Sequence, residues 1–157
     1  MLSIGGVMNR AIFVELDGII RFNVLNKISM IKSIGEIGIY TDRVNTLREL
    51  KELGFKILGI AYQPNLDQDF SAEVALATNE KTAFLFDEIV WCNHSFNETC
   101  FCKKPDPSLI ESLISKYELD LNESVFIGMG NKDLVYALNA RIKNFFFRDN
   151  FFVRNEL

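Results

Sequence analysis

The chain has 157 residues and a mass of 18.0 kDa, about the size of one domain, and its 48% hydrophobic content can build a core without disulfide staples. Its net charge is −4, with 17 basic residues scattered among 21 acidic ones, so no basic stripe exists to follow a nucleic-acid backbone. No uncharged apolar stretch approaches the roughly 18–20 residues that span a bilayer, which excludes a helical membrane anchor within this sequence.

The opening MLSIGGVMNR lacks the basic start and apolar run of a signal peptide. Residues 1–9 therefore read as a short leader, with Met1 or Met8 as the start, on a single domain spanning 1–157 with a cytoplasmic location expected. Residues 11–15 (AIFVE) form a short apolar run, closed at once by the turn pair Asp17-Gly18. Thr41 is placed to cap a helix in which Val44, Leu47, Leu50 and Leu53 recur at three-residue steps, and Gly54 ends it. Residues 56–62 (KILGIAY) and 88–91 read as further strands. Asp106 caps a second helix with Pro107 at its first position, carrying Leu109, Ile110, Leu113, Ile114 and Tyr117 on one face. Residues 124–128 and 144–147 complete the strands, and Asn131 caps a third helix between them. Short buried strands alternating with amphipathic helices predict an α/β, Rossmann-like domain: a three-layer sandwich around a mainly parallel sheet. The three aromatics Phe145, Phe146 and Phe147 fit a buried final strand. Phe151 and Phe152, beyond it, either fold back over the core or form an apolar patch for self-association or a protein partner.

All three cysteines and the single histidine lie within the run WCNHSFNETCFC. Cys92, His94, Cys100 and Cys102 form a C-x-H-x5-C-x-C pattern, the Cys3His donor set of a closed, structural zinc site. Each two-residue step puts both donors on one side of an extended segment, so each pair can clamp one edge of a metal. The odd cysteine count argues against a disulfide framework.

Ligands of a parallel sheet bind outside the carboxyl ends of its strands. Four such ends fall at Glu15–Gly18, at 62–65, at the 92–102 loop with Lys103-Lys104-Pro105, and at 128–133. In that order, and with WCNHSFNETCFCKKPDPSLI as the most specific run, the chain resembles the haloacid dehalogenase (HAD) superfamily. Within it, the nearest likeness is to the zinc-containing heptose-bisphosphate and histidinol-phosphate phosphatases, without a large cap domain. The resemblance implies a strand ending in D-x-D-G, with a phosphoryl-accepting first aspartate and an acid/base second aspartate. FVELDG puts Glu15 and Asp17 there. It implies a hydroxyl at the second strand end, where IAYQPN has Ala61, Tyr62 and Gln63. It implies a charge-neutralising lysine, which Lys104 matches, and a G-D-x-x-x-D loop holding magnesium, where GMGNKD leaves Met129 and Asp133.

These departures have physical consequences. Glu15 adds a methylene that displaces the attacking oxygen by about 1 Å, enough alone to cost on the order of a hundredfold in rate. Ala61 lacks a hydroxyl donor of the kind worth about 3 kcal/mol in a transition state. Met129 offers a thioether where magnesium requires hard oxygen ligands. The expected function is a phosphatase-like protein with structural zinc, impaired in catalysis, that acts as a binding module for a small phosphorylated or anionic ligand. The alternative is an active magnesium-dependent phosphomonoesterase in which Glu15, Asp17 and Asp133 converge on the metal. Glu15, a carboxylate ending a buried strand, needs a partner in either case, and Lys104 or a bound cation is the natural one.

Overall fold

The computed structural model describes residues 6–64 and 66–152. Residues 1–5 of the expected leader, and Asn65 of the turn after the second run, lie outside them. Chain order runs β1 (Arg10–Glu15), β2 (Arg21–Asn23), β3 (Ile37–Ile39), α1 (Thr41–Glu52), β4 (Phe55–Tyr62), α2 (Gln68–Lys81), β5 (Glu88–Cys92), α3 (Ser108–Lys116), β6 (Val125–Gly128), α4 (Asn131–Asn139), β7 (Phe145–Phe147) and α5 (Arg148–Phe151).

Five strands pair in parallel in the order β5-β4-β1-β6-β7, while β2 and β3 form a separate antiparallel pair. The two-residue period of β1 explains the layering. Ala11 and Phe13 enter one core cluster with Ile110 and Leu113 of α3 and Tyr136 and Ala137 of α4. Ile12 and Val14 enter another, with Val44 and Leu47 of α1. Alternate side chains thus feed opposite faces, and the predicted three-layer α/β sandwich forms. Structure begins within the expected leader, since the Asn9 backbone donates to Glu118 O (3.0 Å) and accepts from Asp120 N (2.7 Å).

The expected caps shift by one position. Thr41 and Asn131 are the first residues of α1 and α4, behind Tyr40 and Gly130, and neither helix has a side-chain cap bond. Pro107 stands just before α3, and Asp106 Oδ1 accepts the Ser108 N–H at 2.9 Å, so the capping chemistry persists with a later boundary. Helix α2 has no counterpart in the periodicity analysis. It starts from Asp67, whose side chain accepts the Phe70 N–H at 2.8 Å, and it buries a face of small residues: Ser71, Val74, Ala75, Ala77 and Thr78.

The final strand departs from expectation. β7 lies at the sheet edge, and only Phe145 joins a core cluster; Phe146 is 42% and Phe147 36% exposed. Burial on both faces requires covering layers that reach the edge strand, and here they stop short of it. Phe151 and Phe152 instead turn back and pack, half-buried, against the α1-side cluster, with Phe151 edge-on to Phe146 at 5.7 Å between centroids. Truncation after Asn150 should therefore lower the melting temperature and leave the oligomeric state unchanged. Sedimentation and thermal unfolding of the truncated protein check both, and loss of an oligomer with unaltered stability contradicts the packing assignment.

Candidate functional site

β1 ends in a tight turn in which the Leu16 carbonyl accepts from Ile20 N (2.9 Å) and Arg21 N (3.0 Å). Gly18 takes φ +85°, and a Cβ there would meet Met129 Cε at 3.2 Å, so both backbone conformation and space call for glycine. The turn sends Asp17 sideways onto Arg21. The contact is bidentate, Nε to Oδ1 at 2.8 Å and Nη2 to Oδ2 at 3.2 Å, and Arg21 Nη1 also donates to Thr78 Oγ1 on α2 at 2.7 Å. Arg21 is the largest fully buried side chain among the described residues. Its guanidinium cannot shed its proton, so Asp17 serves as its counter-ion.

Glu15 points into the opposite side of the same cavity and is almost completely buried. Lys104 Nζ lies 2.8 Å from its Oε1 and 2.5 Å from Asp133 Oδ1, bridging the two carboxylates. The contact of Lys104 with Glu15 is an ion pair. Asp133 Oδ2 accepts the Met129 N–H at 2.7 Å. Gly128 makes this possible, since a Cβ there would collide with Asp133 Cβ at 2.5 Å. Glu15, Lys104 and Asp133 thus meet as the resemblance implies, whereas Asp17 is drawn away by Arg21.

Burial, chiefly, and then the Asp133 charge raise Glu15 from 4.5 to about 7, against the lowering pull of Lys104. Burial also works against the charge on Lys104, but the two carboxylates more than offset it, and its ammonium titrates above the usual lysine range. The remaining positions behave differently. Ala61 is buried in the α1-side core cluster, and the Tyr62 hydroxyl donates to His94 O at 2.9 Å. Gln63 is 3% exposed and lines the cavity, and neither Nε2 nor Oε1 has a partner among the described residues. Met129 is half-exposed, its Sδ 3.4 Å from Arg148 Nη1. Arg21 and Arg148 were absent from the sequence expectations. An arginine in the apolar run IIRF, four residues after Asp17, was the only available sign of the first.

The strand ends of β1, β4 and β6 enclose a cavity of about 580 Å³, with the Lys27–Ile31 segment at its rim. Beside it, β5 delivers Cys92 to the second cluster. The donor atoms of Cys92, His94, Cys100 and Cys102 all lie within 4.8 Å of one another and can hold a metal ion. Cys92 Sγ is 3.5 Å from His94 Nδ1 and 3.7 Å from Cys100 Sγ, and His94 Nδ1 is 3.1 Å from Cys102 Sγ. Lys103 fastens this loop by donating to the carbonyls of Ser95 (2.6 Å) and Glu98 (2.7 Å). Adjacent lysines therefore divide the work, Lys103 closing the loop and Lys104 bridging the carboxylates.

This fold is similar to that of solved HAD-like phosphatases. Among solved structures, D,D-heptose 1,7-bisphosphate phosphatase from B. bronchiseptica, complexed with magnesium and phosphate, superposes with a TM-score of 0.72 at 20% identity, covering 83% of this chain and 76% of that one. A HAD-like phosphatase from Mesorhizobium loti gives 0.69 at 16% identity, covering 90% and 74%. In sequence, the chain is 29% identical over 145 residues to D-glycero-beta-D-manno-heptose-1,7-bisphosphate 7-phosphatase of Helicobacter pylori strain J99, spanning 87% of this chain and 81% of that protein. It is 28% identical over 150 residues to the histidine biosynthesis bifunctional protein HisB of Buchnera aphidicola, spanning 90% of this chain and 42% of that longer one. No family model matches the chain.

The Glu15 shift has a stability consequence with a definite sign. Its folded-state value is raised, so the protein carries no penalty below 4.5, and stability is lost as the pH rises from 4.5 through about 7. At roughly 1.4 kcal/mol per unit, the parent should lose about 3 kcal/mol relative to a Glu15→Gln variant between pH 4.5 and 8. Denaturant unfolding of both proteins at the two pH values measures this, and a pH-independent difference contradicts it.

Proposed function

We propose that this chain is a phosphatase-like domain, built on structural zinc, that binds a small phosphorylated or anionic ligand and does not hydrolyse it by magnesium-dependent chemistry. The observation that carries the reading is the surroundings of Met129. Where the resemblance requires an oxygen ligand for magnesium, a thioether faces the Arg148 guanidinium at 3.4 Å. Both oxygens of its would-be companion, Asp133, are taken by Lys104 and by the Met129 N–H. Magnesium demands oxygen ligands in near-octahedral geometry, and a neighbouring guanidinium repels it, so these residues do not fit that ion. Phosphoryl transfer depends mainly on charge neutralisation and positioning. The tie between Asp17 and Arg21 adds to this, because a carboxylate held as a counter-ion is poorly placed to carry a proton.

One observation favours a second reading, a working phosphatase: Glu15, Lys104 and Asp133 converge in the arrangement that the resemblance implies. Hydrolysis of 4-nitrophenyl phosphate with and without magnesium separates the two. The expected result is no magnesium-dependent turnover above background. Robust turnover abolished by Glu15→Gln would falsify the first reading and establish the second.

The zinc assignment rests on the donor chemistry and spacing. Tetrahedral zinc with sulfur at about 2.3 Å and nitrogen at about 2.0–2.1 Å sets its donors about 3.5–3.8 Å apart; three of the six donor pairs here lie 3.1–3.7 Å apart, and all six lie within 4.8 Å. Burial first, and then the neighbouring thiols, push Cys102 up to about 12, a shift that a bound cation would oppose by favouring the thiolate. Reduced thiols of this kind support a cytoplasmic location. Elemental analysis should find one zinc per chain, and chelation or Cys102→Ser should lower the melting temperature. A metal-free protein with an unchanged melting temperature contradicts the assignment.

A further inference from the structure

Of the four cysteine and histidine donors, only Cys92 belongs to a strand; His94, Cys100 and Cys102 lie beyond β5 in a loop without regular structure. A metal that closed such a loop unaided would have to offset the whole entropy of ordering it, and its binding would be weaker by that amount.

Lys103 removes part of that cost. Its Nζ donates to three main-chain carbonyls, those of Ser95 (2.6 Å), Glu98 (2.7 Å) and Phe96 (3.3 Å). An ammonium has three protons, so this side chain is wholly engaged within the loop. Its acceptors form the turn that directly follows His94, and Lys103 itself directly follows Cys102. The clamp therefore closes the same stretch of chain that a metal shared by His94 and Cys102 would close. The turn is also braced internally: Glu98 Oε2 accepts the Ser95 N–H at 2.7 Å, and Ser95 O accepts the Glu98 N–H at 3.2 Å. Tyr62, at the end of β4, ties the loop to the sheet. Its hydroxyl donates to His94 O at 2.9 Å, and its ring meets Phe96 edge-on at 5.4 Å between centroids.

Charge acts in the same direction. Three thiolates and a neutral imidazole around a divalent ion leave one negative charge in excess. Lys104 is committed to Glu15 and Asp133, so Lys103 is the lysine of this pair that stays with the loop.

We infer that Lys103 is a positioning residue for the metal: with Tyr62 it holds the 94–102 loop in its metal-binding shape and so sets how tightly the ion is kept. The inference rests on the zinc assignment above and goes beyond it, since neither residue supplies a donor atom. Outer groups that orient metal ligands are typically worth about 10–100-fold in affinity.

Competition for zinc between the full chain and a chromophoric chelator, 4-(2-pyridylazo)resorcinol, measures that hold. Lys103→Met should weaken zinc binding at least about tenfold. Lys103→Arg, which keeps the charge and the N–H donors, should stay close to the parent. Tyr62→Phe, which loses one hydroxyl and keeps the ring, should weaken binding by a smaller factor. With cobalt in place of zinc, the visible absorption should be the same in all of them, because the donor atoms are untouched. Linkage separates this role from general support of the fold. A group that stabilises the zinc-free and zinc-loaded protein equally lowers both melting temperatures alike and leaves affinity unchanged. For Lys103→Met the zinc-loaded protein should lose more than the zinc-free one. An unaltered zinc affinity in Lys103→Met, equal losses in the two forms, a changed cobalt spectrum, or an arginine variant as weak as the methionine one overturns the inference and leaves the zinc assignment standing. A parent that binds no zinc overturns both.

Discussion

A carboxylate at the end of the central strand must be neutralised, and much of the molecule is arranged around that requirement. Glu15 ends β1, the middle strand of the five, so its side chain emerges where the sheet is most deeply covered. An unpaired charge there is costly. The remedy is Lys104, delivered by the loop that follows β5, and Lys104 is held from its other side by Asp133 in the first turn of α4. Each needs its own support. Lys104 is next to Lys103, which pins the cysteine-histidine loop by its backbone carbonyls, and Asp133 fits only because residue 128 has no side chain. The cysteine-histidine cluster and the cavity are consequently one mechanical unit, with Lys103 and Lys104 as the joint.

The parts legible in the sequence are those whose signal is local. The strands announced themselves as short apolar runs, and the observed β1, β4, β5, β6 and β7 fall within a residue of them. The cysteine-histidine loop was legible because all three cysteines and the single histidine fall in eleven residues. Electrostatics required a cationic partner for Glu15, since a buried strand end cannot hold a lone carboxylate, and left Lys104 or a bound cation as the choices; the structure places Lys104 there.

What was not legible depends on partners far away in sequence. Helix α2 hides because its buried face is made of serine, alanine and threonine, which carry no hydrophobic period to detect. Arg21 in a sequence looks like any surface arginine; its burial depends on Thr78, 57 residues on, in that same unseen helix. Arg148 reaches Gly18 across 130 residues. Three consecutive phenylalanines read as interior, yet β7 lies at the edge, and composition alone does not say which strand a sheet leaves outermost.

The buried Arg21 also constrains how this protein can change over evolutionary time. Its charge is permanent and sealed from water, so Asp17 and Thr78 cannot be replaced while it remains without stranding a cation in the interior. Breaking a buried pair by removing one partner costs about 3–5 kcal/mol, and the half-exposure of Asp17 sets this pair somewhat below that range. Replacing Arg21 first carries no such penalty, because it leaves behind only a half-exposed aspartate and a threonine that still bonds to Val74 O. Lineages descending from this sequence therefore have a preferred order of substitution. The arginine must go before the aspartate.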